Sequence, residues 1–334
     1  EYDLSKVMFI TTANDKDAIP RPLLDRMEVI ELSGYLETEK VEIAKRHLIP
    51  KQLEKHGLKK CQLTIANEAI VELIRGYTHE AGVRELERET AAVCRKAAMD
   101  IGSGKTRVRV GKQKLAAYLG APKYTHGAID AINEIGLANG LAWTSFGGET
   151  LQIEVQIVPG SGQVILTGKL GDVMQESAKA ALTFIKAHAE EFGITLPLDK
   201  KDIHLHVPEG AVPKDGPSAG ITIMTAMLSA LSGIPARADT AMTGEITLRG
   251  RVLEIGGLRE KLLAAYRAGI KRVLIPKANE KDLSDVPDEV KSNMEIIGVA
   301  SAFDVIPLAL EHRPQKAANA FIPQHAHTGA AAAQ

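Results

Sequence analysis

Apolar residues recur at three-to-four spacing over residues 39–57, 67–77 and 82–101, with Gly or Pro breaks between them, and residues 112–119 continue the pattern. These predict helices, with Thr38 as the N-cap of the first because it precedes three charged residues. Only Val108-Arg109-Val110 breaks the rhythm, as a short strand. Ahead of this block, Val7-Met8-Phe9-Ile10 runs into Thr11-Thr12-Ala13-Asn14, the pattern of a buried strand ending in small polar residues. Residues 27–32 predict a second strand, after the Pro20-Arg21-Pro22 punctuation.

Behind the helical block the period shortens to two. Residues 122–140 are weakly patterned and read as a linker. Leu151, Ile153, Val155 and Ile157 then alternate with Gln152, Glu154 and Gln156, as in a half-buried strand. Strands are expected over 140–144, 149–159 and 163–167, then an amphipathic helix over 172–192 with Val173, Ala181, Leu182, Ile185 and Phe192 on its apolar stripe. A strand over 202–207 leads into a loop and an almost wholly apolar helix over 221–231. A strand pair within 241–252, a helix over 258–269, strands over 272–276 and 294–299 and a helix over 302–310 complete the pattern. Alternating strands and helices predict an α/β or α+β fold for this part. Beyond Pro314 the chain is Ala-rich and low in charge, and a disordered tail is expected.

Length and charge narrow the picture. A chain of 334 residues suggests two or three domains. Its 41 Lys and Arg against 42 Asp and Glu exclude the whole-chain basic footprint of a nucleic-acid binder. Cys61 and Cys94 have no metal spacing and cannot build a disulfide framework, which fits a reducing, cytoplasmic setting. No apolar run free of polar residues reaches membrane-spanning length, so no membrane partner is expected. Glu1 in place of Met, inside an apparent strand, suggests a piece of a longer protein.

Two motifs mislead. Gly102-Ser103-Gly104-Lys105-Thr106 resembles the end of a phosphate-binding loop, but Met99 stands where the first Gly is required and no strand precedes it. His79-Glu80 begins like a zinc-protease motif, but Val83 occupies the second His position. His204 and His206 share a strand face without a third ligand at recognisable spacing, and no metal site is expected.

The chemistry concentrates in Pro213-Lys214-Asp215-Gly216-Pro217-Ser218-Ala219-Gly220. A Ser at the start of a buried helix stands where backbone N–H groups lack partners and the helix dipole is positive, a place that can hold a nucleophile beside an oxyanion site. Gly216-Pro217-Ser218-Ala219-Gly220 has the spacing of a nucleophile elbow, and Asp304 and His312 follow in the order of a triad. Against that, about ten loop residues separate the strand from Ser218, and His312 lies at a helix end before the tail. A Lys base is the other route to an activated Ser. A free Lys amine, with a pKa near ~10.4, is deprotonated at pH 7 in roughly one molecule in ~10³, so the base must be buried or set near a helix N-terminus. Lys261, in Gly256-Gly257-Leu258-Arg259-Glu260-Lys261, sits in such a first turn. Thr243 and Glu245 form a polar pair near an apolar strand end, able to orient that Lys.

FITTAN, IPRPLLDRMEVI, EAGVRELER, GLAWT, VMQESAKAAL, HVPEGAVPKDGPSAG, MTGEITLRG and GGLREKLLAA occur in this order. In them the chain resembles the C-terminal part of the bacterial Lon (LonA-type) ATP-dependent serine proteases, from about Tyr2 to Pro314. The resemblance implies an α/β multi-domain chain: the end of an AAA+ α/β core (1–33), a small α-helical AAA+ lid domain (34–121), an α/β (α+β) Ser–Lys protease domain (122–314) and the tail (315–334). It implies Ser218 as nucleophile, Lys261 as general base and Thr243 as the partner of that Lys. Glu154, Asp215 and Glu245 match acidic positions around the groove, Asp215 as a switch residue, and the backbone N–H groups of Pro217, Ser218 and Ala219 would form the oxyanion hole. Asn14 matches the first nucleotide sensor, Arg26 the arginine finger and Arg84 the second sensor. Also implied are ATP and Mg²⁺ in the full-length protein, unfolded or tagged protein substrates and a homohexameric ring. DNA enters by likeness alone. Both Walker motifs are absent from the chain, so it is expected to keep only the peptidase activity, which needs no cofactor.

Overall fold

The buried apolar side chains gather into separate bodies, a helical one followed by an α/β one. The structure, a computed structural model, describes residues 3–13, 19–30, 32, 34–124, 132–144, 147–208 and 214–315. Asn14, Pro213 and the tail beyond Gln315 lie outside them.

After a short helix α1 (Arg21–Leu24), the helical body begins with α2 (Glu37–Ile43), a π-helical turn (Ala44–Leu48) and α3 (Ile49–Lys55), one continuous rod. Pro50 explains the turn: it has no N–H for the Arg46 carbonyl, and the ladder widens by a residue so that Ile49 N–H reaches Ala44 O. The cap falls at Leu36, two residues before the expected Thr38. Glu39 at the third helical position accepts from Leu36 N–H at 2.7 Å, which closes that end. Strand β1 (Leu63–Ile65), α4 (Asn67–Tyr77), α5 (Arg84–Gly102), β2 (Val108–Val110) and α6 (Lys112–Leu119) follow, with β1 and β2 parallel. Leu86, Val93 and Cys94 of α5 meet Ile70, Leu73 and Tyr77 of α4 in its core.

The two strands expected over residues 7–12 and 27–32 do not form. Their described residues have no ladder partner, and Met8, Phe9 and Ile10 are 85%, 67% and 83% exposed. A strand is stable only when a neighbour takes its backbone hydrogen bonds, and hydrophobic pattern alone cannot supply that neighbour.

The α/β body runs β3 (Leu137–Thr144), β4 (Gly147–Pro159), β5 (Val164–Thr167), α7 (Asp172–Ala187), β6 (Lys201–His206), a 3-10 turn (Pro217–Ala219), α8 (Gly220–Ser232), β7 (Thr240–Met242), β8 (Glu245–Ile246) and β9 (Val252–Leu253). It continues with α9 (Leu258–Arg267), β10 (Arg272–Pro276), a 3-10 segment (Lys277–Asp285), α10 (Asp288–Asn293), β11 (Glu295–Val299) and α11 (Ala302–Ala309). The seven-stranded sheet has the order β11-β10-β7-β3-β4-β6-β5 and is parallel except where β4 pairs with β3 and β6. Side chains of α7, α8 and α11 cover one face, and those of α9 and α10 cover β3, β7 and β10 on the other.

Three boundaries move. The expected linker already contains the start of β3, because Gly136 (φ +78°) turns the chain against Val155 O, where a Cβ would fall 2.2 Å away. Helix α7 ends at Ala187, and its buried stripe runs through Met174, Ala178, Ala181, Leu182 and Ile185, which leaves Val173 exposed. The expected strand pair is divided: β7 joins the main sheet, while β8 and β9 form a separate antiparallel pair.

Separate cores have a measurable consequence. Leu86→Ala, in the helical core, should lower the stability of that body by about 2–5 kcal/mol. The single tryptophan, Trp143, lies in the α/β body, so its fluorescence transition in urea should stay in place while a helical transition in circular dichroism moves. A common shift of both would contradict the division.

Candidate active site

Ser218 is the middle residue of the 3-10 turn that feeds α8, and its carbonyl ties that turn to the end of β7. Gly244 N–H donates to Ser218 O at 2.7 Å, Thr243 Oγ1 donates to the same oxygen at 3.3 Å, and Ile221 N–H returns a bond to Gly244 O at 3.1 Å. Gly220 is required for this approach, since a Cβ there would lie 2.7 Å from Ile246 N. Helix α8 is buried on nearly every side, as its apolar run predicts, and gives the turn a rigid base.

Lys261 comes from the other side of β7. It is 2% exposed and donates from Nζ to Thr243 Oγ1 at 3.2 Å. Among the described residues no carboxylate pairs with it. Thr243 thus has a single hydroxyl that accepts from the Lys261 amine and donates to the Ser218 carbonyl, consistent with its one proton. Burial pushes the Lys261 pKa down from 10.5 to about 8. Its place in the first turns of α9 acts in the same direction, because the helix dipole disfavours a cation there.

Helix α9 is seated closely enough to set this geometry. Its N-cap Gly257 has φ +66°, and a Cβ there would meet Trp143 Cγ at 2.8 Å. At Gly148 a Cβ would fall 1.9 Å from Glu260 O, so β4 lies directly against the backbone of the turn that carries Lys261.

Asp215 is engaged elsewhere. Its Oδ1 accepts from Met174 N–H at 3.1 Å and Gly216 N–H at 2.8 Å. The carboxylate lies over Gly171, the N-cap of α7, which has no side chain of its own to serve that helix end. The expected switch residue is here a cap supplied by a distant segment. Gly216, with φ +123°, lets the chain turn from this cap to Ser218. Pro217 has no amide hydrogen, which corrects the expected oxyanion hole. Of the three residues, Ser218 and Ala219 keep a backbone N–H to offer, at the start of α8.

Glu154 and Glu245 stand farther out. Glu154 is exposed on β4, opposite His206 in the ladder, and Glu245 is half-buried on β8. His204 and His206 are half-buried, and each turns a ring nitrogen to Thr167, whose Oγ1 is 3.0 Å from His204 Nε2 and 2.7 Å from His206 Nδ1. No group of three or more His, Cys, Asp or Glu among the described residues could hold a metal ion. The Asp304 and His312 pairing fails on geometry: Asp304 Oδ2 caps α11, accepting from Ala300 and Ser301 N–H, while His312 is exposed. Arg84 opens α5 and Arg26 follows α1, both exposed. They offer charge, but the described residues form no phosphate cradle around them, and no step at Ser218 is routed through a nucleotide. Gly148 and the contact of His79 with Glu149, 2.8 Å apart, carried no local signal in the sequence.

A family model described as the Lon protease (S16) C-terminal proteolytic domain matches residues 109–312, and one described as the Lon protease AAA+ ATPase lid domain matches residues 54–110. A protein named Lon protease from Nitratidesulfovibrio vulgaris is 57% identical over 314 residues, covering 93% of this chain and 38% of that protein. One from Bacillus thuringiensis is 55% identical over 313 residues, covering 93% and 39%. A third, from Syntrophomonas wolfei, is 54% identical over 307 residues, covering 91% and 38%. The chain therefore spans about two fifths of the length of these relatives.

A buried amine with a depressed pKa weakens the fold. Between pH 8 and 10.5 the unfolded chain binds the extra proton, so stability rises with pH across that window and the full penalty stands below it. That penalty amounts to about 3 kcal/mol. Lys261→Met should stabilise the chain by up to that amount at pH 7, with the gain shrinking toward pH 10. Urea unfolding at both pH values checks this, and no gain at pH 7 would contradict it.

Proposed function

Because the chain belongs to the Lon protease family, we propose that it hydrolyses peptide bonds through an acyl-Ser218 intermediate with Lys261 as the general base. The observation that carries this reading is the buried, carboxylate-free Lys261 amine joined to the Ser218 turn by Thr243. With a pKa of about 8, roughly a quarter of the amine is free at pH 7.5, against about one part in a thousand for an exposed Lys. The free amine takes the Ser218 Oγ proton as that oxygen attacks the scissile carbonyl. The Ser218 and Ala219 N–H groups, at the positive end of α8, receive the oxyanion. Lys261 then protonates the leaving amine, and water repeats the sequence to release the acyl group.

The matched stretches, 54–110 and 109–312, favour a lid domain over residues 34–121 and a proteolytic domain over residues 122–314, and residues 1–33 are assigned to the larger AAA+ subdomain by resemblance alone. In the longer protein we place ATP and Mg²⁺ on that AAA+ module, with Asn14, Arg26 and Arg84 as sensing groups, and unfolded or tagged proteins as substrates. We also propose a homohexameric ring by family likeness, and the exposed Met8, Phe9 and Ile10 favour contact with further protein. DNA remains a partner by likeness only. No helix among the described residues is long and apolar enough to cross a membrane. The cytoplasmic setting is proposed from the family likeness.

Cleavage of a fluorogenic peptide tests the assignment. Ser218→Ala and Lys261→Ala should each abolish turnover, and His312→Ala should leave it unchanged. Turnover lost with His312→Ala but retained with Lys261→Ala would favour a Ser–His hydrolase instead.

A further inference from the structure

The contact between the helical and α/β bodies bears on the helix that carries Lys261. His79 lies between α4 and α5, and its Nε2 is 2.8 Å from Glu149 Oε1 on β4. The ring also stacks on Tyr124, with centroids 5.3 Å apart. Glu149 follows Gly148, the residue in backbone contact with α9, where a Cβ would lie 1.9 Å from Glu260 O and 2.9 Å from Lys261 N. The Gly148 carbonyl accepts from Arg267 Nη2 at 2.8 Å, at the far end of the same helix. Gly148 and Glu149 are thus gripped by α9 on one side and by His79 on the other. A side chain of the helical body reaches the Lys261 backbone through two consecutive residues.

We propose that His79 and Glu149 are positioning residues: through this pair the lid holds the start of β4 against α9 and so sets the Lys261 amine relative to the Ser218 turn. The inference rests on the peptidase reading above and names a route by which the state of the lid reaches the base.

The pair has a pH window. Hydrogen bonding to Glu149 raises the His79 pKa above its ordinary 6.5, against the opposing effect of burial, and the same bond lowers Glu149 below 4.5. The other charged groups facing the pair are Arg267 of α9, near both, Glu85 of α5, near the imidazole, and Lys214, near the carboxylate. A raised imidazole keeps its contribution at low pH and loses it as pH rises through the raised value. A lowered carboxylate keeps its contribution above 4.5 and loses it as pH falls through the lowered value. The charged pair therefore spans from below pH 4.5 to above pH 6.5 and weakens once pH passes the raised imidazole value.

The test combines steady-state peptide cleavage from pH 6 to 9.5 with amide hydrogen exchange over Leu258–Arg267, on the full chain and on His79→Ala, Glu149→Gln and His79→Arg. Both side chains are about one third exposed, so a modest effect is expected. His79→Ala and Glu149→Gln should lower kcat about threefold to fivefold at pH 7, with KM within twofold, and speed exchange in α9 by at least threefold. His79→Arg should restore both values and hold kcat above that of the parent at the alkaline end of the range, where the imidazole has lost its proton and the guanidinium has not. Unchanged kcat and unchanged exchange in the first two variants would overturn the proposal, as would a rise in KM alone. If His79→Ala unfolds the helical body, Glu149→Gln, on the other body, decides. If the parent chain cleaves no peptide, the peptidase reading falls by itself, and the exchange of α9 still decides whether the pair holds that helix.

Discussion

The buried Lys261 ammonium, paired with no carboxylate among the described residues, organises this molecule. Lys261 would be far more stable in water or beside a carboxylate, and the fold offers it only one hydroxyl and a helix start that repels its charge. That arrangement persists because the apolar face of α9 is packed against β3, β4 and β7 by Leu258, Leu262 and Leu141. Burial of those side chains, each worth roughly 1.5–3 kcal/mol, outweighs about 3 kcal/mol of destabilised amine. The destabilisation is what makes the amine a base near neutral pH.

Much of the remaining structure controls the distance between that amine and the turn at Ser218. Thr243 stands between them because β7 runs through the centre of the sheet, with α8 on one face and α9 on the other. Gly148 and Gly257 remove side chains where β4 and Trp143 must approach α9. Asp215, whose carboxylate caps α7, fixes the entry to the Ser218 turn from the opposite direction. A site held from the strands and from two helix ends tolerates little slack, which suits chemistry that depends on angstrom-scale placement.

Elements whose burial follows from their own pattern were legible in the sequence. The alternation from Leu151 to Ile157, the apolar run of α8 and the three-to-four spacing of α4 and α5 all fold as read. Legibility ended where a partner from elsewhere in the chain decides the outcome. Residues 7–10 have the composition of a strand but no neighbour among the described residues. Asp215 looks like a free acid in its loop, and only the tertiary fold brings it to the side-chain-less Gly171 at the start of α7. At the site, the first turn of α9 marked Lys261 and a polar pair at an apolar strand end marked Thr243, while the missing Pro217 amide was a matter of covalent chemistry already present in the sequence. The grip of His79 on Glu149 had no local signature, because its two halves are seventy residues apart.

The central claim is that burial makes Lys261 the base for Ser218. The most direct measurement is the rate at which a peptidyl fluorophosphonate modifies Ser218, followed by intact mass as a function of pH. The account expects a single rising limb centred near pH 8, lost in Lys261→Met, which should remain folded and unmodified. A limb near 6.5 that survives Lys261→Met would contradict it, because the proton would then leave Ser218 for an imidazole rather than for the buried amine.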